Sequence, residues 1–304
     1  MKKKNSVIMR DLKKNYAVYL MLLPVLAYYI AFCYKPMYGM IIAFKDFNPN
    51  LGITKSPWVG IKHFKDFFEG YYFTRILSNT LKISLSNLVF GFPAPIILAL
   101  LINELRSPKF AKAVQTVSYL PHFISIVVVC GMIKNFTVED GLINDILAIF
   151  GVQRQNFLLN KAAFVPIYIL SDIWQSIGWG SIVYLAALTG VDMQLYEAAV
   201  VDGAGRWKQL WHITLPSIIP TIFIMLLLQI GNILNVGYEK IILLYNPAIY
   251  ETADVISSFV YRKGLQEFDW SFSAAVGFFN SIINFMLLIM SNTLSKRFNG
   301  TGLW

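Results

Sequence analysis

Six long apolar runs constrain the fold of this chain more than any other feature of its sequence. Each run approaches or exceeds the roughly 20 residues that an α-helix needs to cross a bilayer. The runs cover about Tyr16–Ala43, Leu77–Ile102, Val114–Ile133, Ala163–Thr189, Leu215–Leu234 and Phe272–Leu294. Only 14% of the 304 residues are charged, against about 25% in a soluble domain. The sequence therefore predicts an all-α integral membrane protein with six transmembrane helices.

The distribution of charge predicts that both chain ends lie in the cytoplasm. Six lysines and arginines precede the first run: Lys2, Lys3, Lys4, Arg10, Lys13 and Lys14. An excess of Lys and Arg marks the cytoplasmic side of a membrane protein. With six spans, the inner segments are the two tails, the short loop around Arg106 and the loop at 190–214, and they hold thirteen Lys and Arg against five acids. The outer segments lie near 44–76, 134–162 and 236–271. Counted with Lys35 at the outer end of the first run, they hold twelve Lys and Arg against eleven acids. Topology and contact with anionic membrane lipid account for the net charge of +9, so no nucleic-acid partner is expected.

The predicted spans divide the chain into five parts. They are a cytoplasmic N-terminal tail (1–15), a first transmembrane helix (16–43), an extracellular loop (44–76), a core of five transmembrane helices (77–294) that includes a cytoplasmic loop at 190–214, and a cytoplasmic C-terminal tail (295–304).

A stretch of small and polar residues, EAAVVDGAGRWKQLWHITLP from Glu197 to Pro216, interrupts the apolar runs. Two short helical patterns, Met193–Val201 and Arg206–Ile213, flank the sequence Gly-Ala-Gly, and glycine there permits a sharp turn with positive φ. The pattern predicts a compact helix–turn–helix at the membrane surface that fits a groove of another protein. An alternative interpretation is an amphipathic helix lying on the bilayer, with its two tryptophans as interface anchors.

This stretch resembles the EAA loop of binding-protein-dependent ABC importer permeases. The resemblance rests on Glu197-Ala198-Ala199, Asp202-Gly203-Ala204 and Ile213-Thr214-Leu215-Pro216 at the family's spacing. In that family the loop is the coupling helix, which docks on the ATPase subunit. The resemblance implies that the ATPase-coupling residues are Glu197, Ala198, Ala199, Asp202, Gly203, Ala204, Leu215 and Pro216.

Shorter segments extend the resemblance over most of the chain. The sequences YKPMYG (34–39), FKDF (44–47), WVGI (58–61) and LPHFIS (120–125) are similar to the Lpl-type branch of carbohydrate-uptake permeases, which is linked to complex oligosaccharides in Gram-positive bacteria. The resemblance implies a type I ABC importer permease fold in a bacterial plasma membrane. It also implies import of an oligosaccharide, derived from a polysaccharide or glycan, by alternating access.

Sequence motifs for catalysis and for ATP binding are absent. The chain contains no G-x-x-x-x-G-K-[ST], H-E-x-x-H or G-x-S-x-G motif, and its two cysteines have no metal-ligand spacing. We therefore expect a transport subunit that is not an enzyme and holds no cofactor or metal. The resemblance implies partners instead: two ATPase subunits that bind ATP and Mg, a second homologous permease, and an extracellular sugar-binding lipoprotein that delivers the oligosaccharide.

Polar residues within the spans are candidates for a sugar path, since polar groups inside a membrane face the bundle interior or water. Asp172, Gln175 and Trp179 recur at i, i+3 and i+7 and share one helix face. The full predicted path is Asp172, Gln175, Trp179, Gln229, Asn232, Asn280, Asn284 and Asn87. Such residues also hold helices together by hydrogen bonds, which is the alternative for each of them. For Asp172 the alternative is a pair with Lys82 or a backbone donor.

Three other functions are alternatives to oligosaccharide import. A secondary transporter or channel predicts inverted repeats or a chain of membrane carboxylates, whereas Asp172 is alone within the spans and no repeat is visible. An ABC importer permease for a different solute would carry the same coupling loop. A purely structural membrane subunit would leave that loop unexplained.

Overall fold

The computed structural model describes residues 11, 13–299 and 302–303. Lys2, Lys3, Lys4 and Arg10, on which the predicted orientation partly depends, lie outside the described residues. The described chain divides into two compact units. One contains the residues up to Phe68 together with Lys263–Phe278, and the other contains Glu69–Arg262 and the residues from Phe279 onward.

Helix is the regular secondary structure of both units. Within the described residues, the one exception is an isolated antiparallel bridge between Lys45 and Trp58. The all-α prediction is therefore confirmed.

The first unit begins with a helical stretch of 29 residues, Tyr16–Phe44, which matches the first predicted span. The stretch passes through a π-helical turn (Tyr29–Tyr34) and ends in a 3₁₀-helix. It continues through Pro36 because that residue lies in the first turn of a short helix, where its missing N–H is not needed. The helices of this unit are α1 (Tyr16–Tyr28), α2 (Lys35–Met37), α3 (Gly52–Lys55) and α4 (Lys62–Phe68).

The second unit contains most of the helices. They are α5 (Phe73–Ser86), α6 (Pro93–Asn103), α7 (Pro108–Tyr119), α8 (Ile126–Thr137), α9 (Leu142–Ile149), α10 (Phe164–Thr189), α11 (Met193–Val201), α12 (Arg206–Gln209), α13 (Leu215–Gly231), α14 (Tyr238–Leu244), α15 (Tyr250–Ala253) and α16 (Ile256–Tyr261). The last helix, α17 (Trp270–Asn299), contributes its residues up to Phe278 to the first unit.

Four stretches of the described chain are long and apolar enough to cross a membrane. They are Tyr16–Phe44, Phe73–Asn103, Arg206–Gly231 and Trp270–Arg297. The fourth predicted span is present as helix α10 and is 26 residues long. It is not among these four because polar residues such as Asp172 and Gln175 reduce its mean hydropathy. The predicted total of six thus requires α10 and one further, broken span.

That broken span corrects the prediction of a single third helix over Val114–Ile133. The chain bends by 96° between Pro108–Phe123 and Ile126–Ile149. Pro121 lies in a 3₁₀ turn at the break, where it cannot donate an intrahelical hydrogen bond. Ser125 then begins α8 as its N-cap, since its hydroxyl oxygen accepts a hydrogen bond from the N–H of Val128.

Two glycines let other segments approach α10 closely. A Cβ added at Gly178 would meet the backbone of Ser118 at the end of α7, and one at Gly180 would lie 3.0 Å from the ring of Pro95 in α6. Apolar clusters pack at both ends of α10, around Tyr168 and around Tyr184. Helix α10 is therefore the element against which the second unit is built.

Candidate functional site

A cavity of about 420 Å³ lies beside α10 in the second unit. Its wall combines residues from the end of α5 and the turn after it, from the start of α8, from α10, and from the end of α13 to the start of α14. The polar and charged residues of this wall are Ser84, Asn87, Tyr168, Asp172, Gln229, Asn232, Asn235, Tyr238, Glu239 and Lys240. The hydroxyl oxygen of Ser84 is buried and has no hydrogen-bond partner within the described residues.

Asp172 and Lys240 form an ion pair at this cavity. The Nζ of Lys240 lies 3.3 Å from Oδ1 of Asp172 and donates to the carbonyl oxygen of Tyr168 at 3.0 Å. Only 4% of the Lys240 side chain is exposed, against 34% for Asp172. The ammonium group also lies 4.6 Å from the centre of the Tyr168 ring. Both side chains therefore belong to the cavity wall, and the carboxylate is the more exposed of the two.

This pair corrects one alternative stated for Asp172, a pair with Lys82. Its partner is Lys240 from α14 and not Lys82, which makes no hydrogen bond or ion pair with any described residue. Burial lowers the pKa of Lys240, and the negative charge of Asp172 offsets part of that effect. Asp172 thus stabilises the charge of Lys240, whose burial limits its solvation by water.

A second cavity of about 250 Å³ shares three wall residues with the first: Asn87, Asp172 and Gln229. Its other residues on α10 are Ser176, Trp179, Gly180 and Tyr184. From Tyr168 to Tyr184 the two cavities follow about 24 Å of helix axis, at about 1.5 Å per residue. Because a bilayer core is about 30 Å thick, this line of cavities covers most of a membrane crossing.

The rings of His122 and Trp179 are stacked in the wall of the second cavity. Their centroids are 4.5 Å apart and their planes differ by 3°. His122 belongs to the 3₁₀ turn of the broken span, so the turn presents an imidazole to α10. One face of Trp179 is therefore covered by another residue of this chain.

Five of the eight predicted path residues line the cavities and three lie elsewhere. Asn87, Asp172, Trp179, Gln229 and Asn232 are in the walls. The amide of Gln175 instead donates to the carbonyl oxygen of Ile124 at 3.0 Å. Asn280 donates to Asn235 at 2.8 Å, and Asn284 accepts from the N–H of Leu234 at 3.2 Å. Gln175, Asn280 and Asn284 thus bond to segments that connect helices, which agrees with the alternative that such residues hold the bundle together.

The cavity walls also contain residues outside the predicted path. Lys240 and Glu239 were assigned to an outer segment, and His122 was not included in the path. Asp172 was an indirect signal for Lys240, since a carboxylate within a span needs a cationic or hydrogen-bonding partner somewhere in the chain.

The loop at 190–214 has a well-defined turn. Helix α11 covers Met193–Val201 as predicted, and Gly203 has φ of +73°. The N–H of Gly203 bonds to the carbonyl of Val200, and the N–H of Ala204 bonds to the carbonyl of Ala199. These two bonds form a Schellman motif, which requires a left-handed residue at the position of Gly203. The glycine is thus explained by backbone geometry.

The surface of this loop is unusually open. No residue of α11 is buried, and Val201 is 87% exposed. A Cβ at Gly203 would have no neighbour within 4 Å. The loop is tied to the start of α13 by a 2.9 Å hydrogen bond between the hydroxyl groups of Tyr196 and Thr214. An apolar helix held on one side and open on the other has the form of a docking element.

Comparison with known proteins gives a family match. Residues 91–300 match the family model described as binding-protein-dependent transport system inner membrane component. In Bacillus subtilis (strain 168), the polygalacturonan/rhamnogalacturonan transport system permease protein YteP is 45% identical over 303 residues, which cover 99% of this chain and 94% of that relative. The protein LplB of the same organism is 43% identical over 297 residues, which cover 97% of this chain and 93% of that relative.

Solved structures give a similar result. A chain in the crystal structure of a bacterial ABC transporter involved in the import of the acidic polysaccharide alginate is 45% identical, with a TM-score of 0.89. The match covers 96% of this chain and 99% of that chain. A second structure contains the alginate transporter in complex with its alginate pentasaccharide-bound periplasmic protein, also with a TM-score of 0.89.

Proposed function

This chain belongs to the family of binding-protein-dependent transport system inner membrane components, and we propose that it imports an oligosaccharide along the cavities beside α10. It is a permease subunit of an ABC importer with the type I fold, and therefore a transport subunit and not an enzyme. As a member of this family it works in the membrane with a binding protein and an ATPase.

The observation that carries the proposal is the line of cavities from Tyr168 to Tyr184. Carboxylate, amide and hydroxyl groups in its walls suit the hydroxyl groups of a sugar, and the indole of Trp179 suits an apolar sugar face. The relatives support a sugar derived from a polysaccharide, since one is named for polygalacturonan and rhamnogalacturonan and another for alginate. An ABC permease for a different solute is the less favoured function.

In the proposed mechanism, this chain converts a movement of its cytoplasmic loop into opening of the path. Two partner ATPases bind ATP and Mg, and the chain itself holds no cofactor. Closure of the ATPases carries Glu197 and the surrounding loop along. The bundle then opens outward and receives the sugar from an extracellular lipoprotein. The open surface of α11 supports this role because a docking helix needs exposed apolar side chains.

The assembly and orientation form part of the same proposal. Both chain ends lie in the cytoplasm, and a second homologous permease completes the path. An exposed pair between Arg206 and Glu104, 4.0 Å apart, supports the common orientation of the loop and the end of α6, which are both assigned to the inner side. A secondary transporter would not require the loop to have a partner.

Purification of the intact importer tests the proposal. We expect native mass spectrometry in mild detergent to find one copy of this chain, one second permease and two ATPases. Omission of the second permease should remove the ATPases from the purified chain, because one bundle offers half of the docking surface. A monodisperse, transport-competent monomer of this chain would contradict the proposal.

A further inference from the structure

A polar groove of about 880 Å³ lies at the start of α5, away from both cavities. Arg75, Ser78 and Lys82 follow one another at spacings of three and four residues, which places them on one face of α5, and Tyr71 lies in the turn before that helix. The opposite wall is formed by Pro247, Ala248, Tyr250 and Glu251. No wall residue of this groove belongs to the walls of the two cavities beside α10.

The groove has an excess of positive charge. Glu251 is its only acidic wall residue within the described chain, and it is paired with Lys161. The hydrogen bond and charge of Lys161 hold the pKa of Glu251 below its usual value. This carboxylate therefore stays ionised and paired with Lys161. Lys82 is exposed and has no paired group among the described residues. One cation of the groove is thus free for a ligand.

Arg75 adds a second cation with unused donors. Its guanidinium lies 3.7 Å from the buried carboxylate of Asp254, but Arg262 already binds that carboxylate at 2.6 Å. The Nε of Arg75 is buried and has no hydrogen-bond partner within the described residues. Its guanidinium also lies 4.7 Å from the centre of the Tyr72 ring, which fixes its plane.

Exposed tyrosines complete the chemistry of the groove. Tyr71 is 88% exposed and its ring meets that of Tyr72 edge to face at 5.2 Å. Aromatic faces suit the apolar C–H faces of sugar rings, whereas arginine and lysine suit carboxylates. A protein partner would need a buried apolar centre in its interface, and the wall of this groove is polar apart from the tyrosines, Pro247 and Ala248.

We propose that this groove is a binding site for the carboxylates of an acidic oligosaccharide, with Lys82 and Arg75 as the receiving cations. The inference rests on the proposed import function and adds a substrate class and an outer site. The residues of the groove belong to segments assigned to the outer side or to the outer end of a span. An acidic sugar would therefore meet these cations before it meets Asp172, whose negative charge would repel it unless Lys240 remained paired.

Thiol protection tests the site without depending on transport. Ser78→Cys places a label in the groove wall, and Cys33→Ser removes the exposed native thiol. The assembled importer is labelled with an aqueous thiol reagent, without ATP or binding protein, in the presence of tetragalacturonate or the neutral sugar maltotetraose. Val152→Cys, an exposed position outside the groove, is the matched control.

We expect tetragalacturonate to slow labelling at position 78 and not at 152, and maltotetraose to have no effect. Lys82→Gln should raise the half-protecting concentration about tenfold, because it removes a charge-assisted hydrogen bond. This variant is preferred to one at Arg75, which also contacts Asp254.

Three outcomes would overturn the inference. They are no protection by tetragalacturonate, equal protection by maltotetraose, or protection only when the binding protein is added, which would make the groove a protein-docking surface. If uptake of an oligosaccharide by the same importer persists in any of these cases, the proposed function stands while the groove site fails. Loss of uptake in the importer with unmodified residues 78 and 82 would instead contradict the proposed function.

Discussion

Glu197→Ala is expected to abolish sugar-stimulated ATP hydrolysis while leaving the chain folded in the membrane. Glu197 is exposed on α11 and forms no side-chain hydrogen bond or ion pair with another described residue, so its removal should change the free energy of unfolding by less than about 0.5 kcal/mol. A carboxylate at a docked surface, by contrast, is expected to lose a charge-assisted contact with the ATPase. Stimulated hydrolysis by the assembled importer should fall at least about tenfold, given the energies of such contacts.

Two substitutions at Gly203 separate docking from folding. Gly203 has φ of +73°, a conformation that asparagine tolerates and valine does not. Gly203→Asn should retain the turn and place a side chain on the open surface, so that hydrolysis is lost and the melting temperature is kept. Gly203→Val should abolish hydrolysis and also lower the melting temperature. A variant at this position therefore reports docking only when the turn is preserved.

The matched control for these variants is Glu139→Ala, which removes an exposed carboxylate from a segment assigned to the outer side. Hydrolysis and uptake should be normal in this control. Wild-type hydrolysis and uptake in both Glu197→Ala and Gly203→Asn would show that the loop does not couple this chain to an ATPase.

Asp172→Ala is expected to destabilise the chain more than Lys240→Met. Removal of Asp172 leaves a buried ammonium group without its counter-charge, which costs about 3 kcal/mol when one partner of a buried pair is removed. Removal of Lys240 leaves a carboxylate that is 34% exposed to the cavity and lies 3.5 Å from the amide of Asn87. The melting temperatures of the purified variants measure this asymmetry.

The double variant Asp172→Ala/Lys240→Met should recover most of the lost stability without recovering uptake. This result would show that Asp172 and Lys240 contribute to stability as a pair. Uptake would stay low because the carboxylate of Asp172 is still missing from the path. Asp172→Ala/Lys82→Ala is the matched control and should show no recovery, because Lys82 does not contact Asp172. Additive losses in the first double variant, or recovery in the second, would contradict the pairing found here.

The same pair predicts a pH dependence. Burial lowers the pKa of Lys240 in the folded chain below its ordinary value of 10.5, so the cost of burying this lysine is greatest when it is charged. In Asp172→Ala the destabilisation caused by the buried, charged Lys240 should decline as the pH rises toward 10.5, because the lysine then loses its proton in the folded chain. The stability gap between Asp172→Ala and the wild type should therefore narrow between neutral and alkaline pH.

Local features of the fold could be predicted from the sequence because local chemistry determines them. The apolar runs predicted the helices, and the glycine at position 203 predicted a turn with positive φ. The break in the third span was missed, since Pro121 can occur in either a kinked or an interrupted membrane helix.

Contacts between distant residues could not be predicted in the same way. Lys240 and Asp172 are 68 positions apart, and nothing in the local pattern of α14 indicates which span it contacts. The shared face of Asp172 and Trp179 was correctly read from helical spacing, since both line the second cavity. Gln175 lies on the same stripe but reaches the backbone of the broken span, whose position the sequence could not give.

Uptake into sealed vesicles tests the central claim most directly. The complete importer, with this chain, a second permease and two ATPases, is reconstituted with its binding protein and supplied with a radiolabelled oligosaccharide. The account predicts accumulation that requires both ATP on the ATPase side and the binding protein on the opposite side, and that is lost with Glu197→Ala. Accumulation that an ion gradient drives without ATP or the ATPases would contradict it.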